Sequence, residues 1–547
     1  MNIRNCLLLF LIFSHFNLYG QLLFNGIPAS YDKRTDTWLV SVPEMTGGGN
    51  ITGILSAKDG SGWENIMVEG QSAETVITFP ESDTLKSYAL SYSIGEKDYS
   101  SGIQFTSLPI IHLYGDFGYD YQHARVYLTT PDGEYQEMLA DIKWRGGTTN
   151  MPDKHKRNYK LKLVDEDGNK QNRSFFSLRK DNVWILDAGQ VDMFRLRNLI
   201  AAELWNDFAC KPYYASDVFT ATRGQVVEVF LNDEYAGIYN LCEPIDRKQV
   251  GVRKFEEETG IIHGGLWKAT GWSVATFWNN PPSFDNTSET WDVFELKYPK
   301  IDDLCPSDWS TLYNAIDFVV TSSDQDFGEQ IAGFVDIPAF IDYYIYVNVL
   351  NGWDFCAKNI YWAVYDKETD KKITPVMWDL DCTVGQNYVD EPLHPDYVHY
   401  TNDFMTPTKI GYRLKLLDPD NYNQRVADRY RQLREGVLAT DSLTERYRKY
   451  YNLISESGAA CREAQRWSGD TDIAGLSLDF AHEFEYIKDW IEHRMPLLDD
   501  YFGMKSSIRN ISRQDSTDNC YYNLMGQRLS EPTKGLVITK GKKLIVK

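Results

Sequence analysis

The chain is poor in positive charge, in cysteine and in long apolar runs, and each shortage excludes something. Of its 547 residues, 56 are Lys or Arg against 78 Asp or Glu, a formal net charge of −22. A surface this acidic repels phosphate backbones, which argues against nucleic acid as a partner. Eight cysteines are too few for a disulfide framework at this length. No CxxC pair offers a zinc site. Cys356 and Cys382 flank acidic motifs and are the first pair to examine for a bridge, against the alternative of buried thiols. No stretch is long and apolar enough to span a bilayer. Internal repeats, long low-complexity linkers and the GxxxxGK[ST] phosphate loop are all missing. Aromatics, by contrast, reach 14%, with 35 Tyr and 15 Trp. The hydrophobic fraction of 43% marks a folded chain, and the length implies two or three domains.

The two ends read as address labels. Arg4, the apolar run Leu7 to Phe13 and small Gly20 before Gln21 form a secretory signal pattern over residues 1–20. Export to the medium or the cell surface is expected, with the periplasm as the alternative. The C-terminal segment 506–547 is basic and holds two β-type runs, Gly535 to Thr539 and Leu544 to Val546, around a Lys-Gly-Lys-Lys turn. Its YYNLMGQR and KGLVITKGKK segments resemble the C-terminal sorting tail of surface and secreted proteins of the Bacteroidota. A plain β-hairpin appendage is the other reading.

Between the ends the texture changes once. Residues 21–106 carry short strand-like runs (TWLVSVP, NITGILSA, TVITFP, YALSYSI) separated by turn residues, which predicts a small all-β, Ig-like module. Residues 107–505 mix α and β. RNYKLKL alternates as a strand, and MFRLRNLIAAELWNDF has the spacing of an amphipathic helix. QVVEVFLNDEYAGIYNLCEPI reads as a hairpin around Asn-Asp. NIYWAVYD and KITPVMWDLD form a second hairpin, and 412–503 is helix-rich.

Chemistry concentrates in residues 351–385. Asp354 is followed five positions later by Asn359, and a strand pair then leads to Asp379 and Asp381. In extended chain these last two carboxylates share a face. Asp and Asn oxygens suit Mg²⁺ completed by phosphate oxygens, and Asp-to-Asn at +5 matches the spacing of a kinase catalytic loop. Turn and capping duty explains many such pairs equally well. About two hundred residues earlier, Gly146-Gly147-Thr148-Thr149 precedes a lysine-bearing strand, a pattern able to cradle phosphate; a hairpin with a basic solvated face is the alternative. Glu243 closes the first hairpin and is either a partner of a lysine or cation or a surface charge.

Taken together, RGGTTNMPDKHKRNYKLKL, FLNDEYAGIYNLCEPID, WDFCAKNIYW with PVMWDLDCTVG, and IEHRMPLLDDYF resemble, in order, the motifs of the CotH family of atypical protein kinases. The resemblance covers most of 107–505. It implies an α+β fold with an atypical kinase-like domain behind the β module, and Mg²⁺-dependent transfer from ATP to Ser or Thr hydroxyls of a protein substrate. By position it implies that Asp354 orients the acceptor hydroxyl. Asn359, Asp379 and Asp381 would bind metal, and Lys156, or alternatively Lys160, would contact phosphate. Thr148-Thr149 stands where the family has Asn-Ser, and Val384 where it has an aromatic. Two other readings stand beside the kinase. One is a noncatalytic adhesion protein of the cell surface on the same scaffold, engaging cell-surface components. The other is a carboxylate-based hydrolase acting on carbohydrate.

Overall fold

The computed structural model describes residues 22–43, 50–73, 75–79, 86–301, 305–386, 406, 408–470 and 477–503, and the backbone of four short strands between 521 and 546. The segment 1–20, expected to be a signal, lies outside the described residues. The fold is α+β, beginning with an all-β region.

Alternating burial builds that first region. Tyr88–Ile94 turns Tyr88 and Leu90 inward and Ala89 and Ser91 outward. It sits within a six-stranded sheet ordered Ser30–Asp32, Thr37–Ser41, Lys97–Thr106, Tyr88–Ile94, Trp63–Val68, Gln71–Ser72. Smaller sheets supply Phe24 and Phe79 to the same core, where Phe79 meets Phe105 edge-on at 4.7 Å. The module is fixed to the strands C-terminal to it. Leu39 packs with Ile110, Phe230 and Tyr235, Ser41 Oγ donates to the Leu108 carbonyl at 2.8 Å, and the Lys33 amide donates to the Asp233 carbonyl at 2.8 Å.

Next comes a closed seven-stranded barrel. Its order is Ile110–Tyr114, Gln122–Thr129, Tyr135–Arg145, Asn158–Val164, Val183–Asp187, Glu234–Cys242, Gly224–Leu231, the last pairing parallel with the first. Tyr159, Leu161 and Leu163 fill the interior with Ile142, Trp184 and Leu241. Period-two alternation therefore turns Lys160, Lys162, Lys143 and Arg145 to the outside. The predicted Asn-Asp hairpin is present, with Asn232 and Asp233 both at positive φ (49° and 62°), as a tight turn joining right-twisted strands requires.

A five-stranded sheet comes after the barrel, ordered Thr290–Trp291, Phe294–Tyr298, Gly265–Ala269, Ile360–Val364, Thr374–Met377. Its Leu266, Tyr361, Ala363 and Val376 pack on Ile185 and Cys242 of the barrel's outer wall. Leu266, Val376 and Ile185 each contribute about 2 kcal/mol by burial. Helices cover the rest, including Ile337–Leu350, buried nearly from end to end. The segment Arg197–Phe208 is also a helix, but it is not amphipathic. Eight of its twelve residues are buried, Arg197 among them, because the barrel, the carboxylate loop and the other helices enclose it. Of the two readings of Cys356 and Cys382, the buried thiols are the one found, and no bridge joins them. They are directed at the Trp353 and Gln386 carbonyls at 3.0 and 3.2 Å.

The C-terminal unit, Asp499–Lys547, contains an antiparallel sheet ordered Arg528–Leu529, Tyr521–Tyr522, Gly535–Thr539, Lys542–Val546. Among the described residues no helix is long and apolar enough to cross a membrane.

Candidate active site

The helix Ile337–Leu350 ends at Asn351 in the left-handed conformation (φ 52°), and the chain turns back through Trp353–Phe355. That turn carries Asp354, which is 1% exposed. Asp354 accepts from Asn359 Nδ2 at 2.8 Å and from Lys358 Nζ at 3.0 Å. Asn359 is itself at φ 57°, a conformation Asn tolerates better than most residues, and its amide donates to the Ala269 carbonyl at 3.0 Å. The turn is clamped from behind by Arg494, whose Nε and Nη2 both donate to the Asn348 carbonyl, at 3.1 and 2.7 Å. Lys358 was missed in the sequence, although it sits beside Asn359.

The strand Thr374–Met377 delivers Asp379 and Asp381 to the same place. Burial and the neighbouring Asp354 and Asp187 hold the Asp379 carboxyl above its usual range, opposed by Lys268 and Arg145. Asp381 is pushed up further, first by burial and then by Asp379, Asp187 and Asp354. Among the described residues neither carboxylate receives a hydrogen bond. Asp187, at the end of Val183–Asp187, also escaped sequence reading. It accepts from Asn198 Nδ2 at 2.6 Å, and Asn198 Oδ1 accepts from the Leu380 amide at 3.0 Å. One asparagine thus ties two carboxylate-bearing segments together.

Among the described residues no three His, Cys, Asp or Glu side chains form a ready-made metal cage. A divalent cation here would rely on one or two carboxylates, the Asn359 amide and oxygens from outside the chain. Mg²⁺ is commonly bound in that way, with phosphate and water completing the shell. The donor set fits it: hard oxygen atoms whose mutual repulsion Lys268, Arg145 and Lys358 relieve only in part.

Two cations stand beside Trp378 and act on Asp379. The Arg145 guanidinium lies 5.2 Å from the Trp378 ring centre and Lys268 Nζ lies 6.0 Å from it. Lys268 is lowered by burial and raised by Asp379. Lys160, on the outer wall, is brought down to about 8 by burial and then by Arg145, Lys162, Lys300 and Lys143. The turn after Arg145 needs glycine: Gly146 has φ 109°, and a Cβ there would stand 2.1 Å from Thr149 Oγ1. Thr149 Oγ1 donates to the Arg145 carbonyl at 3.2 Å and accepts from Asn158 Nδ2, also at 3.2 Å.

Two predicted residues are placed elsewhere. Lys156 is buried, with Nζ donating to the Ala188 and Ile238 carbonyls and to Glu463 Oε1, at 2.8, 2.7 and 2.8 Å. An ammonium holding three acceptors inside the protein has no hydrogen left for phosphate. Glu243 is enclosed and takes a forked pair from Arg223, at 3.0 and 2.6 Å, plus the Arg179 amide. Of the predicted set, Asp354, Asn359, Asp379 and Asp381 are brought together. Lys160 stands near Arg145, whose charge acts on it. The sequence missed Asp187, Lys268, Arg145 and Lys358.

Residues 142–498 match the family described as CotH kinase protein. Among curated proteins, none matches the chain. The matched span runs from just before the Gly146 turn past Arg494 and holds every residue of the site described above, and the chain belongs to the CotH kinase family.

Proposed function

We propose that this protein is an exported kinase that transfers the γ-phosphate of ATP to Ser or Thr hydroxyls of a protein substrate, with Mg²⁺. The observation that carries this reading is the hydrogen-bonded Asp354–Asn359 pair beside Asp379 and Asp381. Mg²⁺, when bound, would neutralise the donor's phosphates. Asp379, Asp381 and Asn359 would hold it, with Asp187 close by. Asp354 orients the acceptor hydroxyl and receives its proton, while Lys358 and Asn359 fix the carboxylate's rotamer. Arg145 and Lys268 supply the positive charge that steadies the transferring group, in the role the family resemblance gave to Lys156.

On this reading the barrel and the helical half are the two lobes of a kinase-like fold. The all-β module is an Ig-like spacer, and the C-terminal sheet is a sorting device that delivers the enzyme to the cell surface. The test is Mg²⁺-dependent labelling from γ-labelled ATP by the purified chain, beside Asp354→Asn and Asp379→Asn. Loss of about 10²-fold or more in both variants is expected; equal labelling by the variants would sink the reading.

One observation favours a second reading, a noncatalytic surface-binding protein. Trp278 and Tyr412 are 48% and 45% exposed, with ring centres 5.1 Å apart. A chain that binds cells yet neither binds nucleotide nor labels would establish it.

A further inference from the structure

The outer barrel wall leading away from Arg145 is a track of amines. Lys143 lies two residues before Arg145 on one strand, and Lys160 and Lys162 lie on the next, with Lys160 directly opposite Lys143. Two residues of strand advance about 7 Å, so the track extends well beyond the Trp378 ring. Lys300 joins it from beyond the five-stranded sheet, and its charge acts on both Lys160 and Lys162. Lys143 and Lys162 share the Tyr121 ring, at 4.9 and 4.0 Å. Among the described residues none of these four lysines forms an ion pair. The one carboxylate in register with them is Asp141, opposite Lys162, and it also faces His123 at 3.3 Å.

That arrangement is unfavourable on its own. The chain has 22 more acids than bases, yet among the described residues four amines crowd together with little relief. Like charges at such range repel one another, and an anion from outside would relieve that repulsion. A nucleoside triphosphate would place its phosphates at Arg145 and Lys268 but its base and sugar, both uncharged, along the track. A chain with charge on every unit satisfies the whole wall.

We propose that the donor site accepts a phosphoanhydride chain longer than that of ATP, and that inorganic polyphosphate is a phosphoryl donor. The inference rests on the kinase reading above. In the step, the acceptor hydroxyl oxygen bonds to the terminal phosphorus as the terminal P–O anhydride bond breaks. The bonding pair leaves with the shortened chain, and the hydroxyl proton passes to Asp354. No oxidant, reductant or further reactant is required.

The experiment compares inorganic polyphosphate of defined length, tripolyphosphate and ATP, each with Mg²⁺, by calorimetric titration and by terminal-label transfer with the full chain. The long chain should bind at least about tenfold more tightly than ATP and should label. Lys162→Glu combined with Lys300→Glu should weaken binding of polyphosphate more than of ATP, and the milder Lys162→Gln with Lys300→Gln should fall between. Labelling from ATP without labelling from polyphosphate overturns this inference and leaves the kinase standing. Polyphosphate binding with no labelling from either donor overturns the kinase reading and the donor role together, and shows the track to be an anion site alone. No binding and no labelling overturns both.

Discussion

Arg197 donates its Nε to the carbonyl of Thr383 at 3.0 Å and thereby ties a buried helix to the loop that presents Asp379 and Asp381. The same guanidinium meets Asp192 at 2.7 Å and Glu483 at 2.6 Å, and all three side chains are almost inaccessible to water. The loop is thus held from behind by a charge that never reaches the cleft.

Removing one partner from such a network leaves the others charged and enclosed. Arg197→Met should therefore cost about 3–5 kcal/mol of unfolding free energy. Arg197→Lys should recover only part of this, because an ammonium cannot reproduce the guanidinium's planar fork. Urea unfolding followed by tryptophan fluorescence measures both. A loss below about 1 kcal/mol for Arg197→Met would show that the loop is held by something else.

Lys156 separates structure from catalysis. Lys156→Met strands Glu463, which then keeps Arg195 at 2.7 Å and the Ile238 amide at 2.8 Å, so stability should fall by about 3 kcal/mol. Nucleotide affinity of the folded fraction should be unchanged. Burial lowers the Lys156 ammonium to about 7, below its unfolded value of about 10.4. Between those values the unfolded chain binds the proton and the folded one does not, so this lysine makes stability rise as pH climbs from about 7. The Lys156→Met variant should lack that rise. Denaturant midpoints from about pH 6.5 to about pH 9.5 give the comparison.

Gly385 closes the Asp379–Asp381 loop at φ 77°. A Cβ at this position would stand 2.3 Å from Tyr486 Oη and 2.7 Å from Trp490 Cδ1. Tyr486 donates to the Gly385 carbonyl at 3.1 Å, so backing away would break that bond. Gly385→Ala should cost about 1–3 kcal/mol and lower activity through the displaced carboxylates. Thermal unfolding and labelling should shift together; an unaffected melting temperature would argue against the close packing.

What could be read from the sequence was whatever lies near in sequence or repeats with a period. Asp354 and Asn359 share one turn, so their spacing survives folding intact. The Asn232-Asp233 hairpin was legible because its turn residues tolerate positive φ. Asp187 joins the site from a strand far upstream, and no local pattern marks it. Lys156 and Lys160 look alike in sequence. Lys156 precedes the strand and enters the interior, whereas Lys160 alternates outward between Tyr159 and Leu161. Glu243 carried no sign that Arg223, across the neighbouring strand, would occupy both its oxygens. The apolar spacing around Arg197 reads as an amphipathic helix, but Arg197 is neutralised inside by Asp192 and Glu483.

Asp187 offers the sharpest check on the metal-binding role of the site. Its carboxylate acts on both Asp379 and Asp381, while one of its oxygens is held by Asn198. Asp187→Asn keeps an oxygen able to accept that bond, so stability should stay within about 0.5 kcal/mol. Taking away one negative charge beside the other carboxylates weakens their pull on a cation. The Mg²⁺ concentration for half-maximal labelling should rise about tenfold, a difference of about 1.4 kcal/mol. An unchanged Mg²⁺ requirement would mean that Asp187 orients Asn198 and Leu380 and has no further part in the site.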